Sequence, residues 1–369
     1  MPNTPFIITV DTEGDNLWER PREIGTRNAE FLPRFQMLCE RFGFKPVYLT
    51  NYEMAMSDAY VEFARDVLCR DACEIGMHLH AWNSPPLQAL TEDDFFHQPY
   101  LIEYPDSVMR EKIHVMTALL EDKFDRKMIS HRAGRWAFDE RYAAMLLREG
   151  YQVDCSVTPG VNWGANRGDP NGNGGSNYEA FPDHPYFLDP ANISAPAPYG
   201  LLEVPMTIVL SSLYRKASYL YRVPLLRRAA NRLSPGLSWL CPVQPSLGAP
   251  LARSMDVMLQ MARATRNEGV ACMEFMLHSS ELMPGGSPNF ATPSDIDQLY
   301  DRLEMLFEEL STWCYGLTLH EFRDLWIQLC GHTGLRAFAD QQPDQTGALI
   351  AAAQFSARSI PVGKQAIPE

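Results

Sequence analysis

Short β-branched and apolar runs recur along the chain, each followed by a stretch whose apolar positions fall three and four apart. The first pattern predicts strands at FIITVD (6–11), KPVYLTN (45–51), EIGMHLH (74–80), MISHRAG (128–134), YQVDCSV (151–157), LLEVPMTI (201–208) and VACMEFMLH (270–278). The second predicts helices over 28–43, 57–71, 107–124, 138–149, 252–267 and 294–312. Strands alternating with helices of this length imply βαβ units and a parallel sheet, hence the α/β class. About seven such units suggest a barrel, complete or not, rather than an open sheet. A barrel gathers its chemistry at the C-terminal ends of its strands, and the most informative polar residues fall there.

Two segments break the rhythm. Residues 158–200 are rich in Gly, Asn and Pro and read as a long loop excursion. From Val204 to Met255 there is no acidic residue, while Arg222, Arg227, Arg228 and Arg232 are interleaved with Tyr219, Tyr221, Leu225 and Leu226. A catalytic domain is therefore expected over 1–332, with a loosely structured tail over 333–369.

Composition narrows the class. With 46 acidic against 32 basic residues the net charge is −14, which disfavours a nucleic-acid binder. No apolar run approaches the roughly 18–20 residues that span a bilayer, and MPNTPFIITVDTEGD lacks the pattern of a signal peptide. A soluble, cytoplasmic protein is expected, its basic segment 213–233 offering a peripheral contact to an anionic membrane or to a phosphate. The eight scattered cysteines contain no C-x-x-C pair and read as small buried hydrophobes.

The first strand ends in TVDTEGD, where alternation lets Asp11, Glu13 and Asp15 converge. Carboxylates so crowded call for a bound cation. The third strand ends in EIGMHLHAW, where His78 and His80 project from one face, close enough for both rings to reach one metal. Two histidines and a carboxylate suit metal-assisted hydrolysis.

Taken in order, TVDTEGD, EIGMHLHAW, SHRAGRWAFD, GYQVDCSV and FMLHSSEL resemble the motif series of polysaccharide deacetylases, the NodB-homology group of carbohydrate esterase family 4. The resemblance covers about residues 5–330. It implies a distorted (β/α) barrel, a divalent metal that is commonly zinc, and removal of N-acetyl or related acyl groups from sugars. It further implies that Asp11 is the general base, Arg132 its orienting partner, His278 the general acid and Asp154 the carboxylate that tunes His278. The family's metal-binding aspartate is replaced by Thr12, so Glu13 becomes the carboxylate ligand, with Asp15 in reserve. His78 matches the first metal histidine. The second expected position holds Trp82, so His80 must substitute or the shell differs. Trp82, Trp136 and Trp163 each follow a candidate mouth segment and are candidates to stack on a sugar.

The function expected is metal-dependent removal of an N-acetyl or N-formyl group from an amino sugar, in cell-surface glycan or lipid-linked saccharide metabolism. The saccharide would be free or joined to a lipid or nucleotide. Two other readings stay open: an amidohydrolase-type enzyme acting on another C–N bond, and a non-catalytic glycan-binding relative.

Overall fold

The computed structural model describes residues 4–208 and 255–333. The basic segment 213–233 and the tail beyond 333 lie outside the described residues, as do the membrane and phosphate contacts expected of that segment.

Among the described residues eight strands run parallel, seven of them ordered in space β9 (Met273–His278), β1 (Thr4–Thr12), β2 (Pro46–Thr50), β3 (Glu74–Leu79), β4 (Ser130–Ala133), β5 (Val153–Asp154) and β8 (Leu202–Glu203). These are the seven predicted strands, β1 extended at both ends and the others shortened. The short strand β10 (Cys314–Gly316) pairs with the start of β1. The antiparallel hairpin β6 (Tyr186–Asp189) and β7 (Asn192–Ala197) continues the sheet beyond β8. The hairpin occupies part of the 158–200 excursion. The sheet curls, so that the backbone N–H of Glu274 in β9 donates to Thr207 Oγ1 just past β8, at 2.8 Å.

Strand alternation sorts the apolar residues into two layers. Phe6, Ile8, Val10, Tyr48, Ile75, Met77 and Leu79 pack outward against the helices. Ile7, Val47, Leu49, Val153, Cys155 and Leu202 cluster inward, where Leu319, Phe322 and Trp326 of the last described helix pack against them.

The helices follow local rules. Tyr60, Val61, Ala64, Val67 and Leu68 form the buried stripe of the helix Asp58–Cys69. The helix Glu140–Glu149 starts where Asp139 accepts from the Tyr142 N–H at 2.9 Å, and stops at Gly150, whose φ of 95° a side chain would resist. Pro293 follows the cap Thr292 at the start of Pro293–Ser311, where Thr292 and Asp295 form a reciprocal capping box.

Between the apolar floor and the open end lies a buried polar layer. Arg132 is fully buried and donates to Asp11 Oδ1 at 2.6 Å, to Thr9 Oγ1 at 2.8 Å, to the Cys155 carbonyl at 3.1 Å and to Glu274. Residues from β1, β4, β5 and β9 thus meet at one guanidinium, which fixes the ends of those strands relative to one another.

Candidate active site

Above Arg132 an open pocket of about 290 Å³ is lined by Asp11, Glu13, His78, His80 and His278, with Trp18, Trp82, Trp136, Arg135 and Gln98 among its walls. Asp11 and His278 are register partners on β1 and β9, so the sheet itself sets them side by side.

Glu13 lies just past β1, where its backbone N–H donates to Ser279 Oγ and its carbonyl accepts from the same hydroxyl, both at 3.1 Å. Asn28 also donates to that carbonyl, at 2.9 Å. Behind it, Glu53 accepts from Gly14 N, Asn51 Nδ2 and Asn83 Nδ2, tying together the loops that follow β1, β2 and β3. Burial pushes the Glu53 carboxyl up to about 7.

Glu13, His78 and His80 are buried, and one donor atom from each lies within 4.8 Å of the others. His78 Nδ1 sits 3.0 Å from the Arg132 carbonyl, which leaves Nε2 free to face Glu13 Oε2 at 3.6 Å. His80 Nε2 stands 3.4 Å from the same oxygen. These separations are long for hydrogen bonds but fit neighbouring ligands on one cation, which lie about 3.4 Å apart in a tetrahedron with bonds of about 2.1 Å. Burial drives His80 well below the usual histidine pKa, helped by His78 and Arg135, so its ring is neutral and able to ligate. For His78, burial opposes protonation but Asp11 and Glu13 outweigh it and raise the pKa. The residues present therefore suit a divalent cation.

The position of His80 has its own support. Its ring stacks on Trp82 at 4.3 Å, and a side chain at Gly134 would strike His80 Cδ2 and the Leu79 carbonyl. Trp82, standing where a second metal histidine is expected, thus braces His80. Asp15 does not join the cluster: its carboxylate accepts from Arg27 N, Asn28 N and Asn28 Nδ2, at 2.7–2.9 Å, and holds the following loop.

Burial would raise the Asp11 carboxyl, but Arg132, His78 and His278 hold it below the ordinary carboxylate range. For His278 burial acts downward, and Glu13, Glu281 and Asp11 outweigh it, lifting the pKa to about 9. Its Nδ1 faces Glu281 Oε2 at 3.3 Å, and the indole of Trp18 meets its ring edge-on at 4.9 Å.

Asp154, expected to tune His278, is placed elsewhere. It is bonded to His131 Nδ1 at 2.6 Å and to the Ser156 hydroxyl and N–H, while His131 Nε2 contacts Tyr142 OH at 2.7 Å. The reason is parity: His131 and Arg132 are adjacent on β4, so if Arg132 points into the barrel, His131 and its partner point to the helices. The carboxylate that faces His278 Nδ1 is that of Glu281. Trp82 and Trp136 line the pocket, whereas Trp163 is not among its lining residues and donates its indole N–H to Thr158 Oγ1 at 2.8 Å. Sequence reasoning missed Trp18, Glu281 and Arg135, all in irregular segments.

No protein-family model matches the sequence, and no curated protein matches it. Among solved structures, a candidate glycoside hydrolase/deacetylase from Parabacteroides distasonis is 11% identical with a TM-score of 0.56, over 89% of this chain and 72% of that one. A candidate polysaccharide deacetylase from Mycobacterium smegmatis is 14% identical over 92% of both chains, with a TM-score of 0.46. A 4-alpha-glucanotransferase from Thermococcus litoralis is 13% identical with a TM-score of 0.48, and 88% of this chain spans only 40% of its length. The fold shared with the Parabacteroides glycoside hydrolase/deacetylase is the curled β/α barrel that the motif series implies.

Proposed function

We propose that the chain hydrolyses the acyl amide of an N-acetylated or N-formylated amino sugar, with a divalent cation held by Glu13, His78 and His80. The observation that carries this reading is the approach of three donor atoms to cation-ligand spacing in the same pocket as Asp11 and His278. Two imidazoles and a carboxylate make zinc the preferred cation. When bound, it supplies an acidified water and a Lewis acid for the acyl carbonyl.

The remaining chemistry belongs to the side chains. Asp11, fixed by the Arg132 guanidinium, takes a proton from the attacking water. His278, whose Nδ1 faces Glu281 Oε2, delivers a proton to the departing amine. Trp82, Trp136 and Trp18 offer apolar faces to a sugar ring. The Parabacteroides structure, described as a glycoside hydrolase/deacetylase, fits a carbohydrate substrate.

The test is release of acetate or formate from a panel of N-acylated amino sugars, using native protein, chelator-treated protein resupplied with zinc, and His278→Ala. Zinc-dependent release that falls by at least about 100-fold in His278→Ala is expected, within the range for loss of a general acid. A protein that binds no zinc and releases no acid from any sugar would overturn the reading.

A further inference from the structure

One arginine in the pocket wall and a second near it have no carboxylate within ion-pair distance among the described residues. Arg135 lines the pocket, half-buried, and its guanidinium donates to the carbonyls of Gln98 and Arg167 while lying 4.2 Å from the centre of the Tyr100 ring. Arg20 is exposed two residues beyond Trp18, donates to the Phe96 carbonyl and lies over the Phe96 ring at 5.2 Å. Among the described residues neither makes an ion pair within 4.0 Å. Glu103 acts on Arg135 only from a greater distance, and its Oε2 accepts from the backbone of Tyr100 and Asp169.

The two cations feel each other: burial and the nearby Arg20 charge both depress the Arg135 pKa. Like charges are brought together here by carbonyl anchors two residues apart, Phe96 and Gln98, and by an aromatic ring under each. The backbone adds a further sign. Arg135 and Trp136 are consecutive non-glycine residues in the left-handed region, at φ 55° and 61°. Such strain persists only where the surroundings enforce it, and it clusters at ligand clamps. Tyr178 enforces it here, donating its hydroxyl to the Trp136 carbonyl.

Resting on the deacetylase reading, we propose that the substrate is an anionic amino sugar whose carboxylate or phosphate is received by Arg135, with Arg20 alongside. The guanidinium keeps N–H donors beyond those used on carbonyls, and a planar fork suits either anion. Arg135 is then a specificity-determining residue, separating charged from neutral sugars bearing the same acyl group.

The test uses three product-like sugars that differ only at carbon 6: glucosamine, glucosamine 6-phosphate and 2-amino-2-deoxyglucuronic acid. Calorimetric titration of the full chain reads their affinities without turnover. At least one anionic sugar should bind about tenfold or more tighter than glucosamine, as expected of a charge-assisted contact. Which one does so distinguishes phosphate from carboxylate. That gain should shrink to about twofold or less in Arg135→Gln, persist in part in Arg135→Lys, and weaken in Arg20→Gln. Equal binding of all three sugars, absence of anionic-sugar binding, or a gain that survives Arg135→Gln would each overturn the proposal. Acetate release confined to neutral sugars would sink the clamp alone. Tight Arg135-dependent anion binding without any release would sink the deacetylase reading and spare the clamp.

Discussion

Arg132 holds Asp11 with one arm and Glu274 with another, so the candidate base and a fully buried second carboxylate share a single cation. Burial lifts Glu274 to about 7 even with Arg132 beside it, and among the described residues its Oε2 has no hydrogen-bond partner. Removing the guanidinium would leave two buried acids uncompensated. Arg132→Met is expected to destabilise the fold by about 3–5 kcal/mol, the cost of breaking a buried pair from one side. Urea unfolding checks this, and Glu274→Gln in the Arg132→Met background should recover part of the loss.

Metal content provides a second check. His80→Ala and Glu13→Gln should each weaken zinc binding by at least about 100-fold, since each removes a ligand where even supporting groups are worth 10–100-fold. Asp15→Asn should leave zinc affinity within about threefold of native, because its carboxylate serves the loop at Arg27 and Asn28. Equilibrium dialysis with elemental analysis reads both. Equal losses in Asp15→Asn would return Asp15 to the metal shell.

His278 titrates near 9 because Glu13, Glu281 and Asp11 outweigh its burial. The folded pKa lies above the unfolded value of about 6.5. Its protonation therefore contributes stability that is complete below about pH 6.5 and lost as pH rises through about 9. In metal-free protein the His278 ring resonance should move with a midpoint near 9. Glu281→Gln should move that midpoint to lower pH and flatten the alkaline loss of stability. An unmoved midpoint would remove Glu281 from its assigned role.

The His131–Asp154 pair makes the opposite kind of prediction. Tyr142→Phe deletes the partner of His131 Nε2 and should cost about 1–3 kcal/mol, the range for a buried polar atom left unsatisfied. Acid release per folded molecule should stay within about twofold of native. A stability loss without a rate loss separates this pair from the pocket; a large fall in rate at native stability would reinstate Asp154 as part of the catalytic machinery.

The legible parts of this protein were those set by alternation along a strand. Runs such as FIITVD and CMEFMLH are buried on both faces and close on Asp11 and His278, while Thr9 and Glu274 within them are bonded to Arg132. The same parity brought His78 and His80 to one face. The hairpin β6–β7 escaped notice because Pro190 and Pro196 and the surrounding Gly-rich sequence mask short strands. Glu281 and Trp18 lie in short 3-10 turns and Arg135 in a left-handed kink, where no repeat constrains the side chain. Trp18 and Arg135 are placed by contacts distant in sequence, with His278 and Gln98, and Glu281 by a capping box with His278. The motif resemblance named Asp154 by order in the chain, and strand parity placed it among the helices.

The register of β1 with β9 has a temporal side. Glu13, His78 and His80 lie on or just past β1 and β3, two of the first three strands in the chain. His278 arrives only with the last strand of the ring, laid directly against the first. During synthesis the residues that would hold a cation emerge long before His278, but Glu13 gains its Ser279 anchor only when β9 docks. The two halves of the pocket are thus made far apart in time and finished in one step, when the closing strand docks on the first.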